Sequence, residues 1–369
     1  MIKEYGYEYD AVLDEKLYNK TKGKVTNGKY NGAFCLRSGR DALKAIAREF
    51  DPTIVLMPAL ACDSMLHPFK IYGHTIVYYE LKSDYSINIE RLTSLIPDVN
   101  RTILFLFMDY FGNRAADDTD LIKIKATYPN LVFIEDRTHN LFVEKKYSFQ
   151  PDYTLASLRK WIDIPDGGLL WTSRDLKNKE YSTDVKFSET RLYAQCLRNE
   201  FLRTGNEEIK AVYRKIFSTV TEMIDNDRLP GLMSQYSYER VVNADIKSIK
   251  AAHQQNAKIL IDELQGCTFI QDKAGLGDIY VGILVYNRDE LQKKLASIGV
   301  FCTIIWPLNE KQRLSCEIAK YTEKHMLAIY CDQRYSVEDM KYVAACIRRF
   351  YHEKKDNDFR GKYFTTSSD

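Results

Sequence analysis

The chain has 369 residues, 45% hydrophobic and 28% charged, with a formal net charge of +2. That length excludes a single small core and allows a large plus a small domain, and the near-neutral balance gives no electrostatic case for a nucleic acid partner. No apolar run reaches membrane-spanning length, the first residues lack the apolar core of a signal peptide, and the eight cysteines form no CxxC pair, so the expectation is a cytoplasmic chain with reduced thiols, no membrane contact and no metal site.

From about residue 38 to 175, short apolar runs alternate with helix-like segments, the pattern of a mainly parallel sheet between helices. Ser38-Gly39-Arg40-Asp41-Ala42-Leu43 opens the first helix, expected over 41–50. Strands are expected at 53–57, ended by Pro58, at 75–79 and at 102–107. The last of these is apolar after its first residue, as a strand covered on both faces should be. Strands at 131–134 and 169–171 follow, with helices at 88–96 and 117–128.

From 179 to 265 the chain reads as helical and highly charged. Its clearest amphipathic piece is 246–264, with apolar Ile249, Ala252, Ala257, Leu260 and Leu264. The pattern then returns to α/β, with strands at 279–285, 300–305 and 326–330 and helices at 288–297 and 337–350. A polar tail follows from 353. The division is a large domain over residues 1–240, whose first 30 residues can pack elsewhere, and a small C-terminal domain over 241–369.

Within this layout the most informative run is Asp152 to Lys160, closed by Asp166-Gly167-Gly168. It sets the Ser157 hydroxyl three residues before Lys160 and a Gly-Gly turn signal after it. Upstream, Asp136 ends an apolar strand, where ligands gather in open α/β sheets; Asp109 and Tyr110 fall at another such end. A lysine amine forms an imine with an aldehyde. A carboxylate holds a pyridine nitrogen protonated, and hydroxyls with backbone N–H groups hold a phosphate. The set therefore suits an enzyme that carries pyridoxal phosphate on Lys160, with Asp136 at the ring nitrogen.

Each residue also has a plainer reading. A free lysine titrates near about 10.4; Arg159 beside Lys160 is the kind of cation that lowers this value, yet Lys160 alone would pass for a surface lysine. Strand alternation sends Glu135 to the face opposite Asp136. His139 either orients Asp136 or touches the ring hydroxyl, or it is a satisfied core histidine. Ser38, Gly39 and Arg40, at a helix start, would cradle a phosphate together with Ser157, although by themselves they make an N-cap. Cys62, in the loop Pro58 to Ser64, would line the ring face, against a simple buried thiol. Tyr110, Arg159 and Trp306 stand as substrate contacts, with packing as the alternative. Tyr213, Arg214 and Arg191 default to core or surface, and the pairs Lys145-Lys146 and Lys354-Lys355 to solvated charge.

In this order the pieces resemble the fold-type I pyridoxal phosphate enzymes, and more narrowly the DegT/DnrJ sugar aminotransferase family, over roughly residues 30–350. That family opens with a Ser-Gly-Thr-x-Ala-Leu loop, seen here as Ser38 to Leu43, and its strand leading to Pro-Ala-x-Thr appears as Pro58-Ala59-Leu60-Ala61. Its Asp-x-x-His is similar to Asp136-Arg137-Thr138-His139, and its cofactor lysine before a Gly-Gly pair is matched by Lys160 with Gly167-Gly168. Met233-Ser234 before a long helix, the segment 289–299 and the strand at Met326 extend the likeness into the small domain. Three departures stand out. Ser157-Leu158-Arg159-Lys160 is shorter than the family's Ser-Phe-His-x-x-Lys, Cys62 replaces the stacking aromatic, and Arg40 replaces the loop threonine.

The resemblance implies a large domain with a mainly parallel seven-stranded sheet between helices and a smaller α/β C-terminal domain. It also implies a homodimer with a shared active site. The implied reaction moves an amino group from an amino acid donor, glutamate or glutamine, to a keto-sugar, nucleotide-linked. A pyridoxal phosphate-dependent lyase or dehydratase of the same fold, and a non-catalytic binding module that keeps it, are the alternatives. No GxGxxG follows the first strand, which sets a nucleotide-binding oxidoreductase aside.

Overall fold

The computed structural model describes residues 2–97, 101–142, 148–265, 269–270 and 279–354. Eight strands make its main sheet: β1 (Lys29–Tyr30), β2 (Ala33–Leu36), β3 (Ile54–Pro58), β4 (Thr75–Tyr79), β5 (Ile103–Met108), β6 (Leu131–Asp136), β7 (Tyr153–Ser157) and β8 (Gly168–Thr172). They lie in the order β1-β2-β8-β7-β6-β5-β3-β4. From β4 to β7 all neighbours are parallel; β8, β2 and β1 join antiparallel. The expected seven-stranded, mainly parallel sheet is present, and the two-residue edge strand β1 makes the eighth.

Every residue of β5 and β6 is buried, which follows from their unbroken apolar runs and places both strands between covering layers. The register decides where the strands end. Met108 pairs with Asp136, Asp136 with Leu155, and Ser157 with Gly168, which also pairs with Leu36. The carboxyl ends of β5, β6 and β7 therefore come level with the start of β8. The helix Gly39–Ala47 begins at the same level, directly after β2.

The charged middle of the chain folds into two long helices, Lys186–Thr204 and Glu207–Asn226. Gly205 turns the chain between them in the left-handed region, φ +75°, which a glycine reaches without strain. The amphipathic segment forms Ile246–Glu263 and buries Ala257 and Leu260. A second sheet is antiparallel, with β10 (Tyr280–Leu284) between β9 (Phe269–Ile270) and β11 (Met326–Tyr330).

The strand expected at 300–305 is not formed. That segment makes single bridges instead, Val300 to Tyr5 and Thr303 to Ala328. The N-terminal segment takes up part of its edge, with Tyr5 N–H donating to Gly299 O at 2.8 Å and Phe301 N–H to Tyr5 O at 2.7 Å. Residues near the N-terminus thus pack on the second sheet. A separate apolar cluster sits there, including Ala257, Leu260, Val281, Ile283, Leu327, Ile329 and Ile347. Tyr280, Ile305, Leu308 and Met326 belong instead to the main cluster around the large sheet, so the C-terminal part also helps build the central core.

Among the described residues, no helix is long and apolar enough to cross a membrane, and seven cysteines are present, all as free thiols. Lys145-Lys146, Lys355 and the tail beyond it lie outside the described residues.

Candidate active site

The ends of β5, β6 and β7 and the first turn of Gly39–Ala47 border one open cleft. Its lining includes Ser38, Gly39, Arg40, Cys62, Asp136, His139, Ser157, Arg159, Lys160 and Trp306. Of the residues given a catalytic, cofactor or substrate role in the sequence, Tyr110 is absent from that lining. It is buried, its hydroxyl donates to Leu60 O, and its ring packs 5.9 Å from Tyr85 and 6.4 Å from Trp306. It supports the wall from behind rather than facing a ligand.

Asp136 and Glu135 point apart, as strand alternation requires. Glu135 takes Arg114 Nη1 at 2.6 Å on the other face, while Asp136 lines the cleft. Asp136 Oδ1 accepts the N–H of Thr138 at 2.8 Å. Thr138 Oγ1 accepts the N–H of Ser157 at 3.1 Å, and Thr138 O accepts Trp161 Nε1–H at 2.7 Å. Burial raises the Asp136 carboxyl above its usual range, and the Thr138 bonds and the Lys160 charge offset only part of that.

Lys160 ends the short 3-10 turn Leu158–Lys160 that follows β7. The turn is held from two distant segments. Tyr9 OH reaches Lys160 O at 3.5 Å, and Gln333 Nε2 donates to Trp161 O at 2.9 Å. His139 is fully buried among the rings of Phe111, Tyr280 and Trp306, at 5.7, 5.8 and 5.9 Å. Its Nδ1 accepts the N–H of Phe111 at 3.4 Å. Burial, then the Lys160 charge, push it well below the usual histidine range, so it is a neutral imidazole at physiological pH.

At the opposite end, Ser38 caps the helix Gly39–Ala47. Its Oγ accepts the N–H of Asp41 at 3.1 Å and donates to Asp41 Oδ2. The hydroxyl is thus turned onto Asp41, which Arg37 Nη2 also holds at 2.8 Å. Gly39 and Arg40 line the cleft from the first turn, where N–H groups have no partner inside the helix. The start of β8 runs against this turn so closely that a Cβ on Gly168 would lie 2.3 Å from Ser38 C and O. Arg40 Nη1 pairs with Asp225 at 2.6 Å. Cys62 Sγ lies 2.9 Å from Ser64 Oγ.

Sequence reasoning missed Thr138, Leu43, Ser64, Met65, Met108, Leu155 and Ile224, all of which line the cleft. Thr138 was findable: an Asp followed two residues later by a bonded N–H is a common turn device. Ile224 was not, because it arrives from the end of a helix far along the chain.

No family model matches the sequence, and no curated protein does. Solved structures do match. Spr1654 of Streptococcus pneumoniae, assigned as a sugar aminotransferase, superposes in its cofactor-free form with a TM-score of 0.67 at 12% identity, over 95% of this chain and 98% of that one. PseC of Helicobacter pylori, an aminotransferase of pseudoaminic acid biosynthesis, gives 0.62 at 13% identity over 95% and 100%. A DegT/DnrJ/EryC1/StrS aminotransferase of Brucella abortus gives 0.59 at 16% over 91% and 88%. The fold is that of the sugar aminotransferases. In this chain the fold sets Lys160 after β7, Asp136 at the end of β6 and Gly39 after β2, all around the one cleft.

Proposed function

We propose that the chain is a pyridoxal phosphate-dependent aminotransferase that moves an amino group from an amino acid donor, glutamate or glutamine, to a keto-sugar, nucleotide-linked. The observation that carries this reading is the convergence of Lys160 and the buried carboxyl of Asp136 on one cleft. The likeness in fold to sugar aminotransferases, among them one solved in pyridoxal phosphate and pyridoxamine phosphate forms, supports the cofactor and the sugar. As the family resemblance of the sequence implies, we also propose a homodimer whose partner subunit completes the site.

The residues present fit the cofactor. When bound, pyridoxal phosphate supplies an aldehyde for amines and a protonated ring that draws electrons from the carbon bearing nitrogen. Asp136 would accept the ring N–H, and the cationic donor would offset the burial that now raises its carboxyl. The backbone N–H groups of Gly39 and Arg40, with Ser157 and with Ser38 fixing the helix start, would hold the phosphate at the first turn. Lys160 would engage the aldehyde and, as a free amine, would take a proton from the donor's nitrogen-bearing carbon and return it to the former aldehyde carbon of the cofactor. Neutral His139, wedged among three rings, adds no positive charge and keeps that wall dry.

The test is spectroscopic. Purified protein given pyridoxal phosphate is expected to show an absorbance band near the visible edge that is absent in Lys160→Ala. Glutamate should bleach that band and release 2-oxoglutarate in equal amount. A band that glutamate leaves unchanged while an amino acid loses water or a side group would favour the lyase, and a folded protein with no band would favour the binding module.

A further inference from the structure

We propose that Arg159, with Arg191 and Glu8 behind it, is the seat for a carboxylate of the amino donor. This rests on the aminotransferase reading of the same cleft. Three cations line the cleft, Arg40, Arg159 and Lys160, against a single carboxylate, Asp136. Arg40 is committed to Asp225 at 2.6 Å. Among the described residues the carboxylate paired with Arg159, 19% exposed at its side chain, is Glu8, with Nη1 to Oε1 at 4.0 Å, too far for a hydrogen bond.

Glu8 is already engaged. Its other oxygen takes Arg191 Nη2, and Arg191 is 1% exposed. Burial would raise the Glu8 carboxyl, but the Arg191 and Arg159 charges prevail and hold it below its usual range. One ionised carboxylate therefore serves two guanidiniums. Among the described residues, Nε of Arg159 and both Nε and Nη1 of Arg191 are buried without a hydrogen-bond partner. Burial, then the nearby Arg191 charge, bring Arg159 down to about 10. This surplus of cationic donors is what a second carboxylate would balance, and the planar guanidinium fork matches that group with two parallel bonds. Because Arg159 adjoins Lys160, the bound acid would be held beside the amine.

Anionic chemistry at Arg159 has a second source, the cofactor phosphate, since Ser157 is two residues away. The experiment separates them on wild-type protein. Phenylglyoxal, which condenses with guanidines, is applied with glutarate (a dicarboxylate with no amine to exchange) or with inorganic phosphate, and the Arg159 peptide is read by mass spectrometry. Glutarate is expected to slow labelling of Arg159, with cofactor present or absent, and phosphate is not. By calorimetry, Arg159→Gln should bind glutarate about tenfold more weakly or worse, and Arg159→Lys should fall between, because it keeps charge and loses the fork. Affinity for pyridoxal phosphate should hold within about twofold. Protection by phosphate in cofactor-free protein, with pyridoxal phosphate affinity lost in Arg159→Gln, would overturn the proposal in favour of a phosphate ligand. Unchanged glutarate binding in Arg159→Gln would overturn it outright. If Lys160 forms no adduct, the aminotransferase reading fails by its own spectrum, and glutarate protection still decides the role of Arg159.

Discussion

The backbone N–H of Thr138 donates to Asp136 Oδ1 over 2.8 Å. The same threonine accepts the Ser157 N–H on its hydroxyl at 3.1 Å, so one residue, through its backbone and its side chain, ties the carboxylate of β6 to the end of β7. Thr138→Val keeps the volume and removes the acceptor. The buried Ser157 N–H is then left without a partner, at a cost of about 1–3 kcal/mol. Urea unfolding should show a lower midpoint with an unchanged slope, and Thr138→Ser should recover most of the loss. A Thr138→Val midpoint equal to wild type would mean that the hydroxyl carries nothing.

Asp136→Asn separates stability from cofactor binding. Burial raises the Asp136 carboxyl in the folded protein. An acid whose folded value lies above its unfolded value binds its proton more tightly when folded, so its ionised form penalises the fold at neutral pH. The amide removes that penalty and keeps an oxygen for Thr138. Cofactor-free Asp136→Asn is therefore expected to melt above wild type at pH 7. The gap should close as pH falls through the folded value of Asp136. With pyridoxal phosphate present the order should reverse, because the amide cannot pair with a pyridinium. Melting curves at several pH values, with and without cofactor, check all three statements.

The sequence carried the strands of the parallel block because β3, β5 and β6 are buried enough to be written as apolar runs, and the half-buried β4 still keeps a β-branched and aromatic run. It did not carry β7 as a strand, where Thr154, Ala156 and Ser157 dilute the pattern, or the four-residue β2. The run 300–305 failed for the opposite reason. Its apolar residues suit a strand, but its edge is taken by Tyr5, a partner far away in sequence. In the site, local signals located Asp136, Lys160 and Gly39, each at the end or start of an element. The Gly167-Gly168 pair was legible as a turn; its second role, letting β8 touch Ser38, is a tertiary contact with no local signature. The backing of Arg159 by Glu8 and Arg191 is hidden in the same way, because the three residues come from three distant segments.

Gln333 supports Lys160 from the C-terminal part of the chain. Its Nε2 donates to Trp161 O at 2.9 Å, while its Oε1 accepts from His253 Nε2 at 2.8 Å. Gln333→Leu fills similar space and drops these two bonds together with a third, from Tyr9 OH to Oε1 at 3.5 Å, which should cost about 1–2 kcal/mol. The turn that presents Lys160 loses an anchor, so pyridoxal phosphate should bind several-fold more weakly than the stability loss alone explains. Titration well below the melting point measures this. Equal affinity in wild type and variant would show that the turn holds its shape unaided.

Gly168→Ala and Gly39→Ala make opposite predictions from two glycines on the same contact. A Cβ at 168 would lie 2.3 Å from Ser38 C and O, which are backbone atoms and cannot swing aside. A Cβ at 39 would meet the Ser157 Cβ at 3.5 Å, an ordinary contact. Gly168→Ala should therefore destabilise by about 3 kcal/mol or more, at the upper end of overpacking, and Gly39→Ala should be neutral or stabilise by up to about 1 kcal/mol, because alanine favours the helix over glycine. In whatever Gly168→Ala protein folds, β8 pushes the first turn of Gly39–Ala47 away from the cleft. Its affinity for pyridoxal phosphate should then fall more than its affinity for pyridoxal, which lacks the phosphate that this turn would hold. Equal losses for the two compounds would place the phosphate elsewhere in the cleft.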